Sequence, residues 1–469
     1  MELLGRILSS MSSFLYENIL ILLLVAVGIF FTIATKFVQI RMIPEGFRTL
    51  LEKPDGKKEG TVSSFQALMI STASRVGTGN IAGVAAAIAA GGAGTIFWMW
   101  LLAIIGGASA FVESTLAQIY KVKDEDGGYR GGPAYYMQKA LGARWLGIIF
   151  AILLIICFAY GFNALQAYNI SSAFSYYGGS KEAKNIIALV MGLALAALTA
   201  YTIFGGMHRV GVITSVLVPI MAGIYILLGF YITVTNLDKM PEVFGRIFSE
   251  AFNLKAFAGG LAGTCVMHGI KRGLFSNEAG MGSAPNAGAA AEVSHPVKQG
   301  LVQMISVYLD TLIICTTTAM MILVYDGYAD GLTGIPLVQQ AVKSQVGEIG
   351  IHFIIFSILL FAFSSVIGNY SYAESNLKFI KDNKVLLNGF RVTCLVAIVL
   401  GSVANFDIVW DLADVSMGLM AIVNIIAIIL LSRVAFKALT DYTTQKKAGK
   451  DPVFSSTRLD ISNAECWEE

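Results

Sequence analysis

The sequence is poor in charged residues for its length. Only 14% of its 469 residues are Asp, Glu, Lys or Arg, whereas 56% are hydrophobic. Soluble domains carry about 25% charged residues, and a soluble chain of this size would need them to cover two or three cores. The composition therefore argues against a soluble globular protein and predicts a chain that exposes apolar side chains to lipid. The net charge of +2 gives no sign of a nucleic-acid partner.

The sequence also lacks the motifs of several function classes. Its five cysteines are isolated, without a C-x-x-C pair, and its four histidines do not fall at metal-ligand spacing. It contains no G-x-x-x-x-G-K-[ST] loop, so ATP-driven transport by this chain alone is excluded. No nucleophile stands at motif spacing from a base, which disfavours an enzyme. We expect no resident cofactor, and an ion gradient as the energy source of any transport.

Long apolar windows recur throughout the chain. A hydrocarbon core about 30 Å thick requires roughly 20 apolar helical residues, and about eleven windows meet that requirement. The sequence thus predicts an all-α membrane protein. The expected segments are Asn18–Ile40, Ser64–Ala90, Thr95–Ile119, Leu146–Ala173, Asn185–Ile203, Val212–Thr235, Phe257 to about Ala284, Leu301–Tyr325, Ile351–Tyr372, Val392–Ala404 and Ile408–Leu431.

Basic residues predict the orientation. Lys and Arg accumulate in cytoplasmic loops, and with an outside N-terminus the loops assigned to the inside hold most of them. We therefore expect the N-terminus outside and the C-terminus in the cytoplasm. Residues 441–469 are polar and lack an apolar period, so they are predicted to be a mobile cytoplasmic extension.

Two of the predicted helices contain polar and glycine clusters near their midpoints. The second carries the run from Ser71 to Asn80, and the seventh carries the run from His268 to Gly282. Irregular backbone at membrane depth is tolerated only against protein or a wet cavity. The two clusters lie five helices apart, which suggests one extra N-terminal helix followed by a 5+5 inverted repeat with broken first and sixth fold helices.

A pair of broken helices suits a zwitterionic substrate. Half-helix N-termini offer free N–H groups to an anionic group, and half-helix C-termini offer carbonyls to a cation. We expect a substrate carboxylate at residues 77–80. The alternative is that G-T-G-N is only a close-packing face between helices. Packing does not account for Arg75, Lys271 and Arg272 at membrane depth, where unpaired charges are costly. A passive pore would need polar rings along the whole axis and is disfavoured.

Two motifs carry a family resemblance. At V-G-T-G-N-I-A-G-V-A (76–85) and G-L-F-S-N-E-A-G-M-G-S-A-P-N-A (273–287), the chain resembles the alanine or glycine:cation symporter family. The resemblance implies the leucine-transporter fold of the amino acid-polyamine-organocation superfamily, preceded by one extra helix, and sodium-coupled uptake of alanine or glycine. The substrate site it implies, together with our reading of the breaks, comprises Gly77, Thr78, Gly79, Asn80, Phe162, Gly269, Ile270, Gly273, Phe275 and Asn277.

The resemblance also implies a sodium site. It consists of the carbonyls of Ala73 and Val76 and the hydroxyls of Ser364 and Ser365. The residues alone leave this open, because hydroxyl pairs also bond the preceding helical turn. Arg75 departs from the better-known leucine-transporter pattern, so the number of ions stays open.

Three titratable residues support an alternative, a proton-coupled amino acid carrier. Glu113, Asp310 and His268 lie within apolar spans, and intramembrane titratable groups are candidates for function. We expect these residues to have structural roles instead, with Asp310 paired to Lys271 or Arg272.

The full expectation is a monomeric, multi-pass protein of a prokaryotic cytoplasmic membrane. Its partners would be alanine or glycine, sodium and the lipid bilayer. Its predicted parts are an extra helix and loop (1–60), two five-helix repeats (61–235 and 236–435) and a polar tail (436–469).

Overall fold

The computed structural model of the protein describes residues 2–52, 62–124, 127–252, 261–404 and 406–468. The part of the chain so described is almost entirely helical. Its helices are α1 (Glu2–Leu15), α2 (Ile21–Ala34), α3 (Val38–Arg41), α4 (Ile43–Leu51), α5 (Ser64–Arg75), α6 (Ala82–Gly91), α7 (Thr95–Ile119), α8 (Pro133–Lys139), α9 (Arg144–Leu154), α10 (Asn163–Phe174), α11 (Lys181–Ile203), α12 (Gly206–Thr235), α13 (Met240–Ala251), α14 (Leu261–Asn277), α15 (Pro285–Ala290), α16 (Pro296–Tyr308), α17 (Thr316–Leu323), α18 (Gly334–Val346), α19 (Glu348–Ile380), α20 (Lys384–Ser402) and α21 (Phe406–Lys447).

Short elements of other kinds join some of these helices. An antiparallel hairpin pairs β1 (Val122–Lys123) with β2 (Tyr129–Arg130). The π-helical segments are Tyr16–Leu20, Ile155–Phe162 and Leu309–Cys315, and the 3₁₀ turns are Thr78–Asn80, Ser175–Tyr177 and Glu465–Trp467.

The outer surface of the bundle is apolar. In the described ranges, nine helices are long and apolar enough to cross a membrane. Large apolar side chains on α11 and α12 are exposed, among them Leu193, Leu198, Leu227 and Phe230. A soluble protein would not leave so many uncovered, whereas lipid accepts them. The chain is a multi-pass membrane protein, as predicted.

Most predicted segments match helices, with differences at their ends. The third window coincides with α7. The first begins earlier than predicted, because α1 and α2 join through a π-helical turn into one span, Gly5–Ala34. It also stops before Ile40, because Lys36 and Phe37 adopt left-handed backbone and end the helix. The start of the seventh window, at Phe257, lies outside the described residues. The predicted division between the last two segments, Val392–Ala404 and Ile408–Leu431, is present as the gap between α20 and α21.

The two ends of the bundle differ in what they carry. One end, here called the tail face, gathers α4, the β-hairpin, α8 and the segment that follows α21. Ion pairs connect these parts, such as Lys298 with Glu52 and Asp451, and Arg130 with Asp382. The other end, called the far face, carries α13 and α18.

The C-terminal segment (residues 448–468) is folded onto the tail face, so the prediction of a mobile extension is wrong. The Trp467 indole is buried and donates from Nε1 to the Gln118 carbonyl at 2.9 Å. The Phe454 ring packs on Trp467 and on His295, and its backbone N–H donates to the Ser294 carbonyl at 3.0 Å. These few large apolar side chains give the segment a small core of its own against the helix ends.

Acidification is expected to loosen this docking. Burial beside Phe454 lowers the pKa of His295 to about 4, although Asp441 opposes the shift and Lys298 and Arg458 reinforce it. When the segment leaves, the pKa of His295 moves back towards its ordinary value near 6.5. The contribution of neutral His295 to the free energy of docking is therefore complete above pH 6.5. This contribution is lost as the pH falls from 6.5 towards 4, and the loss is at most about 3 kcal/mol.

A nitroxide label on a cysteine placed at exposed Val453 measures this effect. We expect the label to become more mobile between pH 7 and pH 5 in the otherwise native chain, and much less so in a His295→Gln variant. Equal pH dependence in both proteins would show that His295 is not the group responsible.

A cavity of about 450 Å³ enters the protein at the tail face. The hairpin residues Asp124 and Arg130 and the α19 residues Glu374 and Lys378 lie along it. It extends to Ile70, which precedes Ala73 on α5 by one turn. The tail face is thus the end from which the centre of the bundle is approached.

Candidate functional site

The first break separates α5 from α6. Helix α5 starts at a capping box made by Ser63 and Gln66, and it ends at Arg75. Gly77 is extended, and a side chain there would collide with the hydroxyl of Ser365. A side chain at Gly79 would collide with the ring of Phe275. Both glycines are therefore required by close approach of neighbouring groups.

Polar groups of α10 complete the first break. The Thr78 backbone N–H donates to Oε1 of Gln166 at 3.0 Å, and the Asn169 amide donates to the Thr78 hydroxyl at 2.8 Å. The Gly77 N–H donates to Oδ1 of Asn80 at 3.0 Å. Backbone groups released by the unwinding are thus matched with side-chain partners in a buried setting.

The second break separates α14 from α15. Glu278, Gly280 and Gly282 have left-handed backbone, which is uncommon for a residue other than glycine and costs about 1–3 kcal/mol. The carboxylate of Glu113 on α7 accepts hydrogen bonds from the N–H groups of Gly280 and Gly282, at 3.2 and 3.0 Å. Glu113 thus holds the backbone of the second break through two of its amides.

Glu278 links the two breaks. The Ser74 hydroxyl on α5 lies 3.2 Å from one Glu278 oxygen, and the Ser283 hydroxyl donates to the other at 2.6 Å. Arg75 places Nε 3.9 Å from the same carboxylate. The Ser74 hydroxyl also lies 2.6 Å from Oδ1 of Asn369 on α19. Sequence reasoning missed Glu278, although the N-E-A-G run inside a predicted helix was the available signal.

A third buried carboxylate, Asp310, lies beside Asn80. Asn80 donates from Nδ2 to Oδ1 of Asp310 at 2.6 Å, and the Thr311 and Ser276 hydroxyls donate to Oδ2. Asp310 sits in the π-helical segment Leu309–Cys315, and such wide turns are frequent at functional sites. The expected pairing of Asp310 with Lys271 or Arg272 is wrong.

Lys271 and Arg272 instead share the carboxylate of Asp414 on α21. Arg272 donates from both terminal nitrogens, at 3.1 and 3.0 Å, and the Lys271 ammonium lies 2.6 Å away. The Arg272 guanidinium also stacks 4.2 Å from the centre of the Trp410 ring. All three charges are buried, so each depends on its partners.

Aromatic rings cover the first break. The Phe275 ring, which packs on Gly79, lies 4.7 Å from the Phe162 ring and 5.2 Å from the Trp410 ring, centre to centre. Phe162 and Phe275 were both predicted to lie near the site. Together with the Arg272–Asp414 pair, the rings separate the breaks from the far face.

Two of the four predicted sodium ligands, Ala73 and Ser365, are in direct contact. Ser365 donates from Oγ to the Ala73 carbonyl at 2.9 Å, across from α19 to α5. Ser364 donates to Phe361 one turn earlier at 2.9 Å, which is the bonding that the alternative interpretation expected. Val76 is buried at the end of α5.

The other predicted residues are divided between the breaks and the packing of α14. Gly269 and Gly273 face Thr95 and Leu102 of α7, where they allow the two helices to approach. Ile270 is buried in the core. Asn277 accepts a hydrogen bond from the Ala279 N–H within the second break. A side chain at Gly269 or Gly273 would therefore meet α7.

Several residues of the site went unassigned in the sequence. Asn169 stands seven residues after Phe162 and so shares a helical face with it, which was a usable signal. Ser276 and Trp410 had no local signal, because their importance arises from contacts with residues distant in the chain.

Comparison with known proteins decides the family. The model of the sodium:alanine symporter family matches residues 1–456. The chain belongs to this family. The family member described here is a transporter and not an enzyme.

Relatives of this family member span nearly its whole length. It is 50% identical to the amino-acid carrier protein AlsT of Bacillus subtilis (98% of this chain, 96% of that one). It is 49% identical to the probable sodium/glutamine symporter GlnT of the same organism (99% and 96%). It is 38% identical to the sodium/alanine symporter AgcS of Methanococcus maripaludis (91% and 95%).

A solved structure supports the fold. The crystal structure of MhsT in complex with L-phenylalanine matches with a TM-score of 0.57 at 14% identity, over 82% of this chain and 99% of that one. The family member therefore has the leucine-transporter fold.

Proposed function

We propose that this chain is a sodium-coupled symporter that imports small neutral amino acids, alanine and glycine, by alternating access. The observation that carries the proposal is the meeting of the two breaks, where Phe275 of α14 packs on Gly79. Beside it, Oε1 of Gln166 already accepts from the Thr78 N–H. The Thr78 backbone N–H is one of the groups predicted to donate a hydrogen bond to the substrate carboxylate.

The aromatic cover supports a small substrate. Phe162, Phe275 and Trp410 pack ring to ring over the break, so little room is left beyond the backbone of an amino acid and a methyl group. One relative is named a probable glutamine symporter and another a sodium/alanine symporter, so glutamine is the competitor that tests this size limit.

Replacing Ser365 with Ala is expected to weaken sodium dependence. The Ser365 hydroxyl lies against the Ala73 carbonyl, and two such hard oxygens suit a sodium ion that bridges α19 and α5. We expect the sodium concentration for half-maximal alanine binding to rise about tenfold. The matched control is Ser364→Ala, since Ser364 bonds its own helix. No rise in Ser365→Ala would remove Ser365 from the ion site, and an equal rise in both variants would mean that both hydroxyls act there.

The arrangement of closed and open regions fits an inward-facing state. The rings and the Arg272–Asp414 pair lie between the breaks and the far face, whereas the cavity reaches Ile70 from the tail face. We assign the tail face, which is rich in Lys and Arg, to the cytoplasm. The proposed site remains the breaks with Ser365, and the proposed unit is a monomer built as one extra helix and two inverted repeats.

Binding of labelled alanine to the purified protein tests the proposal. At one pH, we expect binding in sodium but not in potassium, displaced by glycine and not by leucine or glutamine. Displacement by glutamine would overturn the size limit, and loss of binding under all conditions would overturn the substrate class.

One observation favours proton coupling as the second candidate. Asp310 is fully buried at mid-membrane, and its hydrogen-bond partners Asn80, Ser276 and Thr311 are neutral. A carboxyl group in such a place can carry a proton. Sodium-independent binding that changes with pH would select this function.

A further inference from the structure

A groove of about 670 Å³ lies between the last turns of α21 and the C-terminal segment, away from the proposed transport site. Its walls carry three cationic side chains, Arg433, Lys437 and Arg458. Its other lining residues are Phe436, Thr440, Asp441, Thr444 and Leu459.

The docked segment brings Arg458 to this groove. Arg458 donates from Nη2 to Oδ2 of Asp441 and to the Val453 carbonyl, both at 2.8 Å. The chain around it is held by Ser456, whose backbone N–H and hydroxyl donate to the Trp467 carbonyl. The Arg458 side chain remains 49% exposed. It can therefore bind a further group while it keeps Asp441.

The groove has an excess of positive charge. Asp441 is its one carboxylate, and that carboxylate already receives Arg458 and the Gln445 amide, with His295 also at 3.3 Å. Arg433 and Lys437 are both exposed, one helical turn apart. Two guanidinium groups and one ammonium group at this spacing suit the oxygens of a phosphate.

The groove continues a lipid-facing stripe. On α21, exposed Ile426 and Leu430 are followed at helical spacing by Arg433 and Lys437. From Leu430 to Lys437 the helix rises roughly 10 Å, comparable to the depth of a headgroup layer. The stripe thus passes from acyl-chain depth to phosphate depth.

An apolar surface for an acyl chain adjoins the groove. The Phe436 ring on the groove wall lies 6.5 Å from the ring of Phe30 on α2. Phe30 is 46% exposed and Ile33, one turn later, is 64% exposed. A molecule with a phosphate in the groove could lay its hydrocarbon chain along α2.

We propose that this groove binds the phosphate-bearing headgroup of an anionic phospholipid, with its acyl chain along α2 and α21. The bound lipid bridges α21 and the C-terminal segment through Arg458, so it stabilises the docked segment. Lipid is favoured over a free phosphate ion because the groove is continuous with exposed apolar side chains of both helices.

The test compares two full-length triple variants that lose the same charge. The first is Arg433→Gln, Lys437→Gln and Arg458→Gln. The control is Lys384→Gln, Lys447→Gln and Lys450→Gln, at three exposed lysines outside the groove. Native mass spectrometry with phosphatidylglycerol or phosphatidylcholine gives the bound lipid, and the mobility of a label at residue 453 gives the docking.

We expect the native chain and the control to bind phosphatidylglycerol in preference to phosphatidylcholine, and the groove variant to bind it about a hundredfold more weakly. Phosphatidylglycerol should immobilise the label, whereas inorganic phosphate at the same concentration should not. Immobilisation by inorganic phosphate alone, equal binding of both lipids, or equal loss in the control would each overturn the proposal. If the groove variant does not fold, the single variant Lys437→Gln replaces it, with about a fivefold loss expected.

Discussion

A Gly79→Leu variant should insert and fold but bind no alanine. The ring of Phe275 occupies the space that a Cβ atom at residue 79 would take. A leucine must therefore displace Phe275 and, through it, the packed rings of Phe162 and Trp410. It also fills the approach to the backbone of the first break, where the carboxylate is proposed to bind. We expect affinity to fall by more than a hundredfold, measured by equilibrium binding of labelled alanine in sodium.

The matched control is Gly83→Ala on α6. A Cβ atom there meets Trp410 at 3.6 Å, an ordinary contact, and alanine favours a helix over glycine by about 1 kcal/mol. Binding close to that of the native chain is expected. Native alanine affinity in Gly79→Leu would show that the substrate lies elsewhere, whereas failure of both variants would indicate a general packing defect.

Asp414→Asn should cost more stability than any other single charge removal near the site. It leaves Lys271 and Arg272 buried without a counterion, and breaking a buried pair in this way costs about 3–5 kcal/mol. The same change weakens the Arg272–Asp414 link between α14 and α21, which closes the far face in the proposed inward-facing state. We expect a lower unfolding temperature in detergent, and faster labelling of a cysteine placed at Gly83 from the far face.

A neutral triple variant separates these two effects. Lys271→Met, Arg272→Met and Asp414→Leu replace the whole charged cluster by apolar side chains, and such replacements are often neutral or stabilising. Unfolding temperature should therefore recover relative to Asp414→Asn, while labelling at residue 83 stays fast because the directional bonds are absent. If Asp414→Asn unfolds at the same temperature as the native chain, then Lys271, Arg272 and Asp414 are solvated by water rather than buried.

The positions of both breaks were predictable because their causes are local. Gly77, Gly79 and Asn80 interrupt an apolar run, and a helix in lipid cannot leave its backbone unsatisfied without a partner nearby. The same reasoning placed the second break within the run from His268 to Gly282, and the structure has it at the end of that run, because α14 continues to Asn277. The ends of helices were less predictable, since the left-handed residues Lys36 and Phe37 carry no glycine signal.

The pairing of charges could not be predicted, because it depends on which helices meet. Asp310 and Asp414 both lie in apolar stretches of the sequence, and no local feature favours Asp414 over Asp310 as the partner of Arg272. The C-terminal segment was mispredicted for a different reason. Its polar composition suggested mobility, yet Phe454 and Trp467 bury enough apolar surface against the helix ends to dock it.

The long separation of Arg272 from Asp414 has a consequence for biogenesis. The two residues are 142 positions apart, so the ribosome completes α14 roughly 7–28 s before it makes Asp414, at about 5–20 residues per second. During that interval two cations of α14 have no counterion on α21. Integration of α14 is therefore tied to the synthesis of a helix made later. Until then, the half-made protein must keep Lys271 and Arg272 near water or beside the translocation machinery.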